Sequence, residues 1–477
     1  MAEEMHDGLI ARLTRLLGDS GVAFDEATRD AAGWDALGSQ RGFDDGSHVR
    51  PMAVVYPCTP DDVVAIVRVA NETGSSVVTR GGGTGLMGAA RSTRRGIVID
   101  TKRMARVREI DVTSRIAWVE AGAVLEQVDD ALRPHGLMIG HDPWTYGIAT
   151  IGGTISTNGL GFLGGKYGSM GQQVLGFEAV MADGSIVHTR PVRPKSAGAD
   201  LSSLIVGGEG QFGIITAAAL RVFPLPESRQ RVGYRFANFE RGFAAILALH
   251  ALGIAPALLD YGERPAVPDG VGWRGARDAA PPTLFLGFDG LSEEVRALVS
   301  RASDICKRHG GSRIDDAAVE EFWDSRHVVA DNFAKGRAAR AGVTPASGEG
   351  RCFDYIHVSL PPSRVLQYRQ QACAVAVLHD VHVLEAGVWV SPGLFSLAMA
   401  NVAPTHEEAR VRMSAMVDEC LRAAHAAGGS MEYCHGVGMR LAHLMREEHG
   451  AGLDVLRHLK RGLDPSGVLN PDKLSLT

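Results

Sequence analysis

The apolar positions along the chain fall into distinct regimes. In IARLTRLL, within residues 1–45, they recur at spacings of three and four, the period of one helix face, so this stretch reads as a lead-in of one or two helices. From Pro51 the text PMAVVYPCTPDDVVAIVRVANETGSSVVTRGGGTGLMG predicts a strand, a helix over DDVVAIVRVANET capped by Thr59, and a second strand that runs into a glycine turn. Strand-length runs such as SVVTR, GIVID and ARVREI continue as far as RVFPLPE, whose two prolines set a boundary near Glu227.

Beyond that boundary the pattern alternates longer helical segments, NFERGFAAILALHALG and LSEEVRALVSRASDICKRHGG, with strands in TLFLGFDG, FDYIHVSLP, DVHVLEAGVWV and GLFSLAMANV. This is an α+β arrangement, with helices packed on an antiparallel sheet. KGRAARAGVTPASGEGR, within 326–351, has no periodicity and reads as a loop over the site. The remainder holds a turn, two helices and a proline-punctuated end. The expected organisation is a helical lead-in at 1–45, a first domain at 46–227, a second at 228–427, and a tail at 428–477 that completes the first domain's site.

Charge and cysteine usage narrow the function classes. Basic residues number 49 and acidic ones 55, a net charge of −6 spread without single-sign blocks, which argues against nucleic acid and for a small-molecule partner. Six cysteines without a CxxC pair suit a reduced, cytoplasmic protein, and no apolar run approaches the roughly 18 residues of a membrane span. A homodimer is compatible with this composition.

Glycine changes the picture most. There are 58, about 12% against a usual share of about 7%, and they cluster in RGGGTGLMG, in GIATIGGTISTNGLGFLGGKYG and in VGGEGQFG. Consecutive glycines after a strand leave main-chain N–H groups open to a phosphate. RGGGTGLMG matches neither a Walker loop nor GxGxxG, so by itself it stays a glycine turn with a phosphate reading beside it.

Taken in order, RGGGTGLMG, HDPWTYGIATIGGTISTNGLG, KYG, VMADGSIV, VGGEGQFGIIT and a terminal HGVG with NPDK resemble the FAD-binding fold shared by vanillyl-alcohol oxidase and p-cresol methylhydroxylase. Within it the chain is similar to the branch of D-lactate and glycolate-type dehydrogenases and alkyldihydroxyacetonephosphate synthase, over residues from about 50 to 227 and from 428 to 474. The resemblance implies an α+β flavoprotein, a two-part FAD-binding domain with an α+β cap. It puts Gly81, Gly82, Gly83, Thr84, Gly85 and Leu86 on the FAD pyrophosphate, with Arg80 and Gly88 shaping the turn. Pro143, Thr150, Gly152, Gly153, Thr157 and Asn158 would follow the ring and ribityl chain. Glu209, Gly210, Gly213 and Ile215 would face the adenosine end, and Asn470 of NPDK joins the set. The first loop lacks a histidine, which implies a noncovalent cofactor; attachment through a cap residue stays open.

The same resemblance brings the turn EYCHGVG to the flavin. There His435 is the candidate base, with Tyr433 and, less directly, Glu432 beside it. The two-histidine metal motif of related dehydrogenases is absent, VLEAGVWVSPGLFSLAMA standing in its place, and His379 and His382 lie on opposite strand faces, so no metal is expected. Arg326, Arg337, Arg340 and Arg351 are candidate anion clamps, Arg351 first because it opens a strand, and His357 on that strand is a further candidate at the flavin.

The expected reaction is oxidation of a CH–OH carbon by hydride transfer to the flavin, from a 2-hydroxy acid or else a phenolic or benzylic alcohol, with oxygen or a carrier protein as electron acceptor. A synthase reaction without net oxidation is the alternative mechanism, and a noncatalytic nucleotide-binding protein the alternative class.

Overall fold

The computed structural model describes residues 2–37, 49–268, 271, 279–328, 330, 332–333 and 350–477. With the helices Ala2–Leu17 and Glu26–Ala32 on either side of its first strand in sequence, a four-stranded sheet is built from β1 (Val22–Ala23), β2 (Ala53–Val55), β3 (Ser76–Arg80) and β4 (Gly96–Asp100). The helix Pro60–Thr73 joins β2 to β3. Thr59 caps it, its side chain accepting from Asp62 N while Asp62 accepts from Thr59 N. The sheet order is β1-β2-β4-β3, with β2, β4 and β3 parallel. The strands flanking the helix are therefore not neighbours, because β4 lies between them. All five residues of β4 are buried, as a central parallel strand covered on both faces requires.

A second sheet, wholly antiparallel, has the order β5-β6-β10-β8-β9, from β5 (Val107–Asp111), β6 (Ile116–Glu120), β8 (Val174–Val180), β9 (Ile186–His188) and β10 (Ile214–Arg221); β7 (Leu137–Met138) and β11 (Phe223–Pro224) pair separately. Buried Glu120 and Glu178 are spanned by Arg108, whose guanidinium lies 3.1 Å from each.

The third sheet takes β12 (Ser228–Arg235), β13 (Leu258–Arg264), β14 (Ala280–Gly290), β15 (Ser312–Arg313), β16 (Arg351–Ser359), β17 (His382–Trp389) and β18 (Leu394–Val402) in the order β15-β12-β14-β13-β17-β18-β16, all antiparallel. Alternation decides its faces. On β16, Cys352, Asp354, Ile356 and Val358 are buried, and the helix His406–Ala426 packs on this strand with its buried Met413, Met416 and Val417; Tyr355 and His357 point the other way.

The segment after Gly428 returns across the molecule. It bridges β16 at Ser359–Ser430 and His357–Glu432, and it reaches the edge of the first sheet at Val77–Leu469. Buried Arg440 of this segment donates to Asp354 on β16 at 3.0 Å.

Candidate active site

Between the glycine clusters and the open face of the third sheet lies a cleft of about 390 Å³. All six residues from Gly81 to Leu86 line it, as do Pro143, Thr150, Gly152, Gly153, Thr157, Glu209, Gly210, Gly213 and Ile215. The first loop leaves β3 and presses on the second glycine segment so closely that side chains are excluded. A Cβ at Gly81 would lie 2.1 Å from Thr150 Oγ1, and one at Gly82 would lie 2.4 Å from Ile148 O. These two glycines answer to loop–loop approach as well as to any phosphate. Six consecutive residues, four of them glycine, line the cleft where a strand ends, and a loop of this kind can offer main-chain donors to a pyrophosphate, so these residues fit FAD.

Several residues named from the sequence do not line the cleft. Asn158, at φ +50°, accepts from Gly171 N at 3.0 Å, which ties the second segment to the following helix. Asn470 Nδ2 donates to Ala89 O at 2.9 Å and to Glu209 O, so it joins tail, first loop and third cluster. Gly88, at φ +80°, and buried Arg80 flank the loop. Glu209 lines the cleft, but its carboxylate accepts from Val437 N at 2.6 Å and Gly438 N at 2.9 Å. It fastens the tail turn, a role that EGQFG did not disclose.

The turn Glu432–Gly438 carries the titratable groups. Glu432 Oε1 accepts from the main-chain N–H of Tyr433, Cys434 and His435 at 3.0, 2.8 and 3.0 Å. Burial works against its charge, yet the imidazoles of His435 and His357 and the N–H row outweigh it and bring the carboxyl down to about 2. Gly436, at φ +80°, is required here because a Cβ would stand 2.4 Å from Glu209 Oε1. His435 lines the cleft with its ring perpendicular to His357 at 4.4 Å, and Tyr433 stands 5.4 Å from His357. Burial pushes the Tyr433 phenol well above its ordinary range. The structure thus brings together His435, Tyr433 and His357.

Ligand-type atoms of His357, Glu432, Cys434 and His435 fall within 4.8 Å of one another. Glu432 Oε1 accepts from three amides, and burial drives the Cys434 thiol well up.

The arginine expectations need correction. Arg351 is exposed, donates to Val271 O at 2.9 Å and is not a cleft residue; it lies six residues from His357, roughly 20 Å along an extended strand. Arg326 is committed to Asp142 at 2.9 Å, beside His327 at 2.6 Å. Arg337, Arg340 and most of the loop expected at 326–351 lie outside the described residues. His379 pairs with Glu419 at 2.8 Å.

The sequence reading missed the opposite wall. Asp260 on β13 and Glu385 and Trp389 on β17 line the cleft, as does His141, and no described lining residue is Arg or Lys. The signal was the alternation in VLEAGVWV, which puts Glu385, Gly387 and Trp389 on one strand face.

Two family models match the chain, an FAD binding domain over residues 51–190 and the C-terminal domain of FAD linked oxidases over 225–474. An alkyldihydroxyacetonephosphate synthase of Trypanosoma brucei brucei is 36% identical over 89% of this chain and 73% of its own length. A glycolate oxidase subunit of Bacillus subtilis is 28% identical over 89% of each chain, and a probable mitochondrial D-lactate dehydrogenase of Danio rerio 28% identical over 98% of this chain and 91% of its own. Among solved structures, p-cresol methylhydroxylase superposes with a TM-score of 0.80 at 18% identity, over 99% of this chain and 97% of that one.

Proposed function

The chain belongs to the FAD-linked oxidase family, and from that premise we propose that it oxidises the carbinol carbon of a small alcohol, with His435 as the base. FAD is the cofactor, held through the glycine clusters, and when bound it supplies the two-electron acceptor that takes the hydride. The observation that carries the proposal is the position of His435 in the cleft wall, with its Nδ1 3.8 Å from Glu432 Oε2.

In this reading His435 Nε2 takes the hydroxyl proton, and the anionic Glu432 compensates the imidazolium that results. Tyr433, kept protonated by burial, donates to the substrate oxygen and orients it. His357 packs edge-on against His435 and limits its rotation. With no Arg or Lys among the described lining residues, the carboxylate of a 2-hydroxy acid would find no cationic partner there, which favours an alcohol. FAD is held noncovalently, and acid precipitation should release it.

A synthase reaction without net oxidation is the second reading, supported by the 36% identity to the trypanosomal enzyme. Anaerobic mixing of the yellow holoenzyme with candidate alcohols separates the two. An oxidoreductase bleaches its flavin, whereas a synthase-type enzyme turns over without accumulating reduced flavin. A flavin that no alcohol bleaches counts against the proposal.

A further inference from the structure

We propose that the cap end of the cleft is a cation pocket in which Asp260 and Glu385, set among Trp389, Tyr355 and Tyr433, receive an ammonium group, so that the alcohol oxidised carries a protonated amine. The identity of the reaction rests on the oxidation proposed above; the pocket itself does not.

The two carboxyl groups share one sheet face. Gly262 is two residues from Asp260 on β13, and a Cβ there would lie 3.6 Å from Glu385 Oε1, so Glu385 leans over a bare position toward Asp260. Neither acid makes a hydrogen bond to a described residue, and both open onto the cleft. Burial, and then Glu385, push Asp260 up to about 8; Glu385 is exposed to the cleft, and the protein packed around it raises its carboxyl, partly offset by Arg264, which does not line the cleft. Among the described residues that line the cleft no cation faces these two acids, Arg264 lying outside it, and a cation seated between them would favour both carboxylates.

A second, independent feature of the same wall calls for a hydrogen-bond donor. His141 is 1% exposed, and among the described residues neither ring nitrogen has a hydrogen-bond partner; burial lowers it to about 4, which leaves a neutral ring able to accept. Its ring adjoins the second glycine segment, where a Cβ on Gly159 would lie 3.4 Å from His141 Nε2, and that segment runs on to the acid-bearing strands. Phe162 N donates to Asp142 O next to it, the Phe162 ring meets Trp389 edge-on at 5.4 Å, and Trp389 pairs with Asp260 across the strands. Aromatic faces around paired acids are the lining that holds an ammonium group, and they repel a carboxylate.

The test compares two ligands of one shape, para-aminomethyl benzyl alcohol and para-carboxy benzyl alcohol, titrated anaerobically into the holoenzyme by calorimetry. The amine should bind about 10- to 100-fold more tightly, and in Asp260→Asn/Glu385→Gln the preference should shrink to about threefold or less, with the flavin spectrum retained as the check on folding. If that double variant does not hold flavin, Glu385→Gln alone should lower the preference by at least about threefold. Equal affinity in the wild type, or a preference that survives these substitutions, overturns the pocket. A wild type that prefers the amine but whose flavin neither compound bleaches leaves the pocket standing and removes the oxidation reading instead.

Discussion

At the scale of single residues, the tail turn concentrates the chemistry. His435→Ala should still bind FAD, because the cradle is main chain on distant segments, while the anaerobic rate of flavin reduction falls by about 10²- to 10⁴-fold. Equal rates in wild type and variant would move the base elsewhere. Glu432 gives a separate signature. Its carboxyl lies near 2 when folded, below its ordinary 4.5, so its stabilisation is present above pH 4.5 and is lost as pH falls from there toward 2. The shift corresponds to at most about 3 kcal/mol for a side chain that is 5% exposed. The melting-temperature gap between wild type and Glu432→Gln should accordingly be widest above about pH 5, narrow as pH falls below about 4.5, and close only as the solution approaches about pH 2. A gap independent of pH would mean that the three amide hydrogen bonds, not the charge, hold the turn.

At the scale of elements, much was legible in the sequence. Thr59 with Asp62 announced a helix start, and the glycine clusters announced loops at a ligand. Pairing was not legible. The insertion of β4 between β2 and β3 depends on a strand that follows the glycine loop, and no local pattern records which neighbour it chooses. Asp260 and Glu385 stayed hidden for a related reason: alternation says that Glu385 and Trp389 share a face, but only the pairing of β13 with β17, more than 100 residues apart, says what that face looks onto. Arg351 misled because a strand fixes direction and not distance along itself. The tail helix Gly452–Leu463 carries a further dependence on distant partners. Lys460, 1% exposed, donates to Gln211 O at 2.8 Å, Asp464 Oδ2 at 2.6 Å and Leu469 O at 2.7 Å. Lys460→Met leaves Asp464 buried without its counter-charge and should cost about 3–5 kcal/mol in chemical denaturation. A cost under about 1 kcal/mol would show that Asp464 is satisfied by the Val468 and Leu469 amides alone.

At the scale of the whole molecule, the cleft belongs to no single sheet. Its floor comes from loops of the first and second sheets, its roof from the third, and its reactive turn from the tail, which touches β16, the first loop at Met87 and the third cluster at Glu209. Among the described residues no helix is long and apolar enough to cross a membrane. The tail's place in the cleft has a consequence for biosynthesis. A ribosome delivers the glycine loops hundreds of residues before it delivers the turn at 432–438, so an emerging chain presents the cradle without its clasp. Cofactor capture is thereby tied to synthesis of the segment after Gly428: a chain halted at Ala427 should emerge colourless, and the yellow of the longer chain reports that this segment has come home.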